Sequence, residues 1–179
     1  DEQQIRNAFD AFRKNFGDTA LVAAASTDFA RIEERMKALA ARPGLWRGSF
    51  KDDKTARFKE LIAEDIISTI GFNLNVGARD KRWPQDFFSL RYCGLLRIEK
   101  PGTYAFPWSA DDRARLWIDH QIVEKGKSID LGEGNHAFKL EYEQDWGGEG
   151  LKFEWIQPGE SNAAKIPGSA FWHVPGKRE

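Results

Sequence analysis

The sequence predicts a mostly β protein, an antiparallel β-sandwich preceded by an α-helical hairpin. From Leu45 onward, apolar and polar residues alternate with a period of two, most clearly in residues 95–99, 114–119 and 137–142. Glycine and proline interrupt this alternation about every 8 to 15 residues, which is the spacing of turns between short antiparallel strands. Many short strands with regular turns are typical of a sandwich.

The first 42 residues follow a helical rather than a strand period. Gly17-Asp18 ends a first helix, the cluster at residues 26–28 offers N-caps for a second, and Pro43 prevents the second from continuing. We therefore predict a helical extension over residues 1–42 and a sandwich over residues 44–174. The helices could dock on the sandwich, bind a partner protein or belong to a larger domain. The apolar stripes are Ile5, Phe9, Phe12 and Phe16, then Phe29, Ile32, Met36 and Leu39.

Turn signals divide the sandwich into its strands. Pro101-Gly102 and residues 131–135 are predicted turns, and Asp119-His120 is a predicted tight hairpin between two apolar strands. Residues 56–70 break the alternation and suit a short helix or a covering loop. Four tryptophans in strand-like runs are predicted core residues, and core packing is also favoured for Trp108. The four are Trp46, Trp117, Trp155 and Trp172.

Charge and cysteine content exclude several classes of protein. Twenty-seven basic and 28 acidic residues leave a net charge of -1, which gives no electrostatic reason to expect nucleic acid or an anionic membrane as partner. The longest apolar run, residues 20–25, is far shorter than the roughly 20 residues that span a bilayer, so no membrane insertion is expected. The single Cys93 cannot form an intramolecular disulfide and is interpreted as a small core residue.

The sequence gives little support for catalysis. The three histidines, His120, His136 and His173, are scattered through turn-like or terminal positions, and no Ser-His-Asp or Cys-His motif is present. Carboxylates are numerous, but those placed by a motif belong to one short turn, a poor geometry for an acid and a nucleophile acting from opposite sides of a sugar. We therefore predict a protein that is not an enzyme.

Two segments contain the candidate binding residues. Asp111 and Asp112 are adjacent carboxylates at the start of a strand, and oxygen ligands of this kind are what calcium prefers. The same pair also suits an ordinary turn whose carboxylates accept hydrogen bonds from main-chain N–H groups. Trp146 follows Asp145 and precedes two glycines, so its indole either stacks on a sugar in a loop or folds back onto the sandwich.

Several dispersed motifs, in order and spacing, resemble the anthrax-toxin protective-antigen domain family, a fourteen-kilodalton β-sandwich module. The resemblance covers residues 44–172. It is carried by GLWRGSF at residues 44–50, FSLRYCGLL at 88–96, PGTYAF at 101–106, SADD at 109–112, RLWID at 115–119, the glycine-rich loop after Tyr142, and GLKFEW at 150–155 with Ile166-Pro167.

The resemblance implies a calcium site at one end of the sandwich. In the sugar-binding members two aspartates joined by a cis peptide bond hold the ion with a second loop, and sugar hydroxyls complete the coordination. Carried over, this assigns the metal to Asp111 and Asp112, with oxygens from residues 144–150 and Asp145 as the best side-chain candidate there. With Trp146, these residues form the predicted carbohydrate site.

The predicted function is therefore non-catalytic, calcium-dependent binding of a glycan or polysaccharide. The resemblance also implies that the chain is part of a larger protein that is extracellular, on the cell surface or in the periplasm. A different class stays open, namely a structural or protein-interaction sandwich without a sugar ligand, which could meet another protein through its N-terminal helices.

Overall fold

The computed structural model describes residues 2–17, 22, 25–26, 28, 31–32, 40–73 and 80–178. The chain divides into two units, residues 1–41 and residues 42–179. The first contains helix α1 (Glu2–Phe16), which confirms the first predicted helix. Gly17 ends it with a positive φ of 59° while its N–H bonds to the carbonyl of Arg13 at 2.9 Å, a common helix stop.

The second predicted helix is only partly described. Residues 25–26, 28 and 31–32 are helical. The interpretation of Ser26 as an N-cap is wrong, because it lies inside the helix and its hydroxyl donates to the carbonyl of Val22 at 2.7 Å. The apolar positions Phe29, Met36 and Leu39 lie outside the described residues. No helix in the described ranges has the length and apolar character needed to cross a membrane.

Short antiparallel strands make up most of the second unit. One 3-10 turn, η1 (Gly168–Ala170), lies near its end. The strands are β1 (Arg42–Pro43), β2 (Leu45–Lys51), β3 (Glu60–Ile67), β4 (Phe72–Asn73), β5 (Phe88–Ile98), β6 (Gly102–Ala105), β7 (Trp108–Asp111), β8 (Arg113–Ile118), β9 (Gln121–Val123), β10 (Ser128–Leu131), β11 (Gly134–Gln144), β12 (Gly150–Trp155), β13 (Ala164–Lys165) and β14 (Phe171–His173).

The main sheet is organised around its two longest strands. β5 and β11 are each 11 residues long and pair along their whole length, from Gly134 opposite Ile98 to Gln144 opposite Phe88. β8 and then β9 continue the sheet beyond β11. On its other edge, β5 pairs with both β2 and β14. β3 then pairs with β2, and β1 pairs with β14.

The second sheet is organised around β12. β7 pairs with one side of β12, while β4 and β13 pair with different parts of its other side. A bridge between Ala105 and Ile156 links this sheet to the β6–β10 pair. The inner faces of the two sheets meet in an aromatic core, with Phe138 packed edge-on against Phe153 at 5.8 Å. The predicted antiparallel sandwich is therefore confirmed.

The prediction for residues 56–70 is wrong over most of its length, because Glu60–Ile67 is strand β3. Leu61, Ile62 and Ile66 have a spacing that resembles a helix. They lie instead on an edge strand that pairs with β2, and Leu61 and Ile66 are exposed. Pairing with the preceding strand β2 determines the conformation at this position, because the preference of a residue for a strand depends on its cross-strand neighbours.

Two of the predicted core tryptophans do not reach the core. Trp155 is buried between the sheets, and Trp46 is buried in a separate cluster with Phe50 and Cys93. Trp117 and Trp172 are only half-buried. The pleat explains Trp117, because Leu116 and Ile118 already fill the inner face and alternation turns the residue between them outward.

The hairpin between β8 and β9 is confirmed as a two-residue turn. Asp119 and His120 both have positive φ, 49° and 65°, as a type I′ turn requires. Asp119 then accepts hydrogen bonds from the N–H of Ala137 at 2.8 Å and from the His136 ring, whose Nδ1 lies 2.7 Å from Oδ2. The other ring nitrogen lies 2.9 Å from the carbonyl oxygen of Gly132.

We expect this histidine to give the folded protein a measurable pH dependence. Burial acts to lower the pKa of His136, but hydrogen bonds to Asp119 and Gly132 and the Asp119 charge outweigh it and raise the pKa above 6.5. The resulting stabilisation is complete below pH 6.5 and is lost as the pH rises through the raised pKa. Because Asp119 is half-exposed, the loss should be at most about 1 kcal/mol. Urea unfolding across this pH range should show the step in the native protein and not in His136→Gln; equal curves would refute the assignment.

Candidate functional site

Asp111 and Asp112 lie where the chain passes from one sheet to the other. Asp111 is the last residue of β7 in the second sheet, and Arg113 begins β8 in the main sheet. The peptide bond between the two aspartates is cis, as the resemblance implied. Asp111 is opposite Gly150 in the pairing of β7 with β12. The crossing therefore places both aspartates beside the loop that joins β11 to β12.

Main-chain and side-chain hydrogen bonds fix the aspartates against this loop. Asp112 Oδ2 accepts a hydrogen bond from the N–H of Asp145 at 2.6 Å, and the Asp112 N–H donates to the carbonyl of Glu143 at 3.4 Å. The Tyr142 hydroxyl is shared between two acceptors, the carbonyl of Asp111 and Oε1 of Gln144. Burial raises the pKa of Tyr142, so the hydroxyl keeps its proton and stays a donor.

Gly148 lies unusually close to the first aspartate. A Cβ atom on Gly148 would be 2.6 Å from Oδ2 of Asp111, well inside van der Waals contact. The fully buried Gln144 holds the loop there, because its Nε2 donates to the carbonyl of Gly148 at 2.6 Å. The loop thus cradles the Asp111 carboxylate in space that a side chain would otherwise fill.

The Asp145 carboxylate turns toward two guanidinium groups. Arg57 donates to Oδ1, and Arg113 lies 3.2 Å from Oδ1 and 3.1 Å from Oδ2. Burial acts to lower the pKa of Arg113, but its hydrogen bond with Glu143 and the charges of both acids raise it. The ion pairs use the same oxygens that a metal would need, so the geometry favours a positioning role for Asp145. Its role as a calcium ligand stays a prediction.

The indole of Trp146 is exposed at the tip of the loop. Its relative exposure is 64%, so the indole does not fold back into the sandwich, and its stacking on a sugar stays a prediction. The ring leans on Phe87 at 5.7 Å between centroids, and Lys54 Nζ lies 5.3 Å from the ring centroid. Gly147, the next residue, donates its N–H to Asp86 Oδ1 at 3.2 Å. Trp146 is therefore exposed to solvent on a loop that contacts with Phe87, Lys54 and Asp86 hold in place.

A cleft of about 640 Å³ opens beside the aspartates. It begins at Asp111 and the buried Glu149 and follows β12 toward Lys152 and Lys165. The cleft lies where the pairing of β12 changes from β4 to β13, so the second sheet has a gap along this side. Its size is within the range of small-ligand sites.

The donor atoms at this end of the sandwich are of the chemical type that a hard cation takes. Asp111, Asp112 and Glu149 provide carboxylate oxygens, and the loop provides carbonyls, which are the ligand types that calcium takes. In the described ranges, no three or more His, Cys, Asp or Glu side chains form a group that could hold a metal ion. The side chains alone therefore give an incomplete ligand set, which loop carbonyls, water or ligand hydroxyls would have to complete.

The sequence interpretation missed the residues that support the aspartates. Tyr142 and Arg57, which hold the site in place, were not predicted, and Gln144 and Glu149 were included only as unspecified oxygen donors of residues 144–150. One signal was present in the sequence. Tyr142 and Gln144 continue the inward face of β11 up to its last residue, and a buried glutamine at a strand end needs a local partner.

Comparison with known proteins agrees with this architecture. The model of the PA14 domain family matches residues 41–168. A curated relative, the anti-sigma-I factor RsgI3 of Acetivibrio thermocellus, is 28% identical over 102 residues, which is 56% of this chain and 15% of that protein. The chain thus spans only a small part of that relative.

Solved structures show the same fold. An anti-sigma factor domain-containing protein from Clostridium clariflavum is 28% identical, with a TM-score of 0.63 over 75% of this chain and 49% of that one. The epithelial adhesin 6 A domain of Candida glabrata, in complex with Galβ1-3GlcNAc, has a TM-score of 0.58 over 78% of this chain and 90% of that one. Its identity is 10%, so this second likeness shows the fold alone.

Proposed function

The chain belongs to the PA14 domain family, and on that premise we propose that its sandwich is a non-catalytic carbohydrate-binding module that uses calcium. The observation that supports this most directly is the position of Asp111 and Asp112 at the crossing between the sheets, facing a braced loop. The adhesin domain with the same fold is solved with a glycan. Neither the adhesin nor the anti-sigma proteins are named for an enzyme activity.

Each residue at this end has a separate task in the proposal. Asp111 and Asp112 hold the ion, Gly148 lets the loop approach it, and the arginine pairs of Asp145 keep the loop in place. When bound, calcium supplies open coordination positions that vicinal sugar hydroxyls can fill. Trp146 offers an exposed aromatic surface against which the apolar face of a sugar ring can pack.

The module would serve a larger extracytoplasmic protein. The two anti-sigma proteins that it resembles are longer than this chain, and the adhesin domain with the same fold is solved in complex with a glycan. A protein-interaction module without a sugar ligand is the alternative, and it would use the amphipathic helix α1, whose Phe9 and Phe12 are half-buried.

Calcium titration of the chelator-stripped protein by calorimetry tests the proposal. We expect saturable binding at one site, a rise in melting temperature, and binding of Galβ1-3GlcNAc or another array glycan only when calcium is present. Asp112→Asn keeps the shape and the hydrogen bond to the Asp145 N–H but removes a charge, so it should weaken calcium binding by about tenfold or more. Glycan affinity should fall with it.

The same titration can overturn the proposal. Absence of binding heat together with an unchanged melting temperature would leave the aspartates as turn residues and favour the interaction module. Glycan binding could also be as strong in the Asp112→Asn variant, or in the presence of chelator, as in the native protein with calcium. That result would show that sugar recognition does not depend on the paired aspartates.

A further inference from the structure

A second, larger cleft lies on the outer face of the main sheet, away from the aspartates. Its volume is about 910 Å³. Trp117 of β8 and Lys139 of β11, which are directly opposite in the strand pairing, form one part of its lining, and residues 176–178 form another. Trp117 is four residues beyond Arg113, about 13 Å along β8 from the aspartate end of that strand. The two clefts are therefore separate.

The residues that line this cleft give it a positive charge. In the part of the chain that the structure describes, its titratable lining residues are all basic: Arg91, His120, Lys139, Lys177 and Arg178. Two nearby acids offset part of this charge. Glu141 lies 2.9 Å from Arg91 and 3.9 Å from Lys139, and Glu64 lies 2.9 Å from Arg178. Four fixed cations against two carboxylates leave a positive cleft on a chain whose net charge is -1.

The shape of the cleft fits a small ligand better than a protein surface. Gly94, Ala137 and Gly176 are the smallest lining residues, and they leave space between the basic groups. A concave space of this size belongs to the range of small-molecule sites. A stable protein interface instead needs about 800 Å² of matched surface on each partner.

An aromatic ring lies among the cations. Trp117 is half-buried, and Lys139 Nζ lies 4.1 Å from its ring centroid, a cation–π distance. Arg91 is similarly held over Phe58, with its guanidinium carbon 4.4 Å from the ring centroid. These contacts hold the Lys139 and Arg91 side chains in position before a ligand binds, which lowers the conformational entropy lost on binding.

We propose that this cleft binds an acidic saccharide, one bearing carboxylate or sulfate groups, at a site distinct from the paired aspartates. Arginine and lysine recognise such groups through charge-assisted hydrogen bonds. The indole of Trp117 supplies the apolar contact for a sugar ring. An acidic peptide shares the charge but has no ring to place against Trp117, so the saccharide fits the cleft better.

The test compares two tetrasaccharides that differ only at C6. β-1,4-linked tetramannuronate carries a carboxylate on each sugar, whereas β-1,4-mannotetraose carries hydroxymethyl groups. Calorimetry of the full chain is done with chelator-stripped protein dialysed into calcium-free buffer, so that neither calcium nor the carboxylates of a chelator contribute. We expect saturable binding of the mannuronate, weaker at high salt, and none of the neutral sugar.

Matched double variants locate the binding. Lys139→Gln with Lys177→Gln should weaken mannuronate binding by about tenfold or more. Lys125→Gln with Lys127→Gln removes the same charge from the exposed turn between β9 and β10 and should change affinity by less than about twofold, since its lysines lie outside the cleft. Circular dichroism and melting temperature check that both variants fold.

Several outcomes would overturn this assignment. No mannuronate binding by the native protein, or equal binding of mannotetraose, would refute an acidic-saccharide site. Equal losses of mannuronate affinity in the two double variants would show that binding depends on the net charge of the protein and not on this cleft. A hexaglutamate peptide that binds as tightly as the mannuronate and competes with it would assign the cleft to acidic peptides instead. None of these outcomes depends on the calcium proposal.

Discussion

Gly148→Val is expected to remove calcium binding while leaving the sandwich folded. The new Cβ would occupy the position 2.6 Å from Asp111 Oδ2, and the added methyl groups enlarge the conflict. The contact is with the end of a flexible side chain, so the carboxylate will swing away rather than the sheet deform. We expect calcium affinity to fall by about a hundredfold, since one of two charged ligands is displaced. Stability should change by less than about 1 kcal/mol.

Calorimetric calcium titration and thermal melting of the same samples measure this prediction. Gly132→Ala is the control, because a Cβ atom at that position would have no neighbouring atom within 4 Å. It should bind calcium like the native protein. A Gly148→Val protein with native calcium affinity would show that the Asp111 carboxylate is not a ligand, even if the chain binds the ion elsewhere.

The sequence predicted best where neighbouring residues determine the conformation. The β8–β9 hairpin follows from two residues that tolerate positive φ between apolar strands, and the end of helix α1 follows from Gly17. The cis peptide bond at Asp111–Asp112 was implied by the family resemblance, but the crossing between the sheets was not predicted, because the alternation does not show where a chain changes sheets.

Long-range contacts explain the errors. Strand β3 resembles a helix locally and becomes a strand only by pairing with β2, where Arg47 donates to Asp65 at 2.9 Å. No role was predicted for Trp83, which lies in a segment without a recognisable motif. Its ring is buried against Phe88, and its indole N–H donates to Ser49 Oγ at 2.9 Å. The local residue pattern shows neither the pairing of β3 with β2 nor the hydrogen bond from Trp83 to Ser49, 34 residues away, so neither position could be predicted from it.

The position of the candidate site was predicted more completely than its chemistry. Asp111, Asp112, Asp145 and Trp146 do come together at one end of the sandwich. The arginines that take the Asp145 carboxylate could not be foreseen, because Arg57 is 88 residues from Asp145 in sequence and reaches it through the loop after β2. An ion pair between distant surface residues leaves no periodic signal.

Gly94→Ala is expected to destabilise the whole sandwich. A Cβ on Gly94 would overlap the main-chain oxygen of Trp172 and lie 2.7 Å from Leu45 Cδ2. The oxygen belongs to β14, which pairs with β5 at Leu95 and Leu96, so it cannot move without breaking that pairing. The adjacent Phe171 and Leu45 are almost completely buried and would lose part of their packing. We expect a loss of about 3 kcal/mol in the free energy of unfolding.

Urea unfolding followed by tryptophan fluorescence measures this loss, with Gly132→Ala again as the control for adding a methyl group to a glycine. The comparison also distinguishes two views of the sheet edge. If β14 is a fixed part of the sheet, the midpoint will fall without a change in slope, because the same surface is exposed on unfolding. If β14 can detach while the rest stays folded, the slope will fall as well, since less surface then remains to be exposed. Native stability in Gly94→Ala would contradict the close approach of β14 to β5.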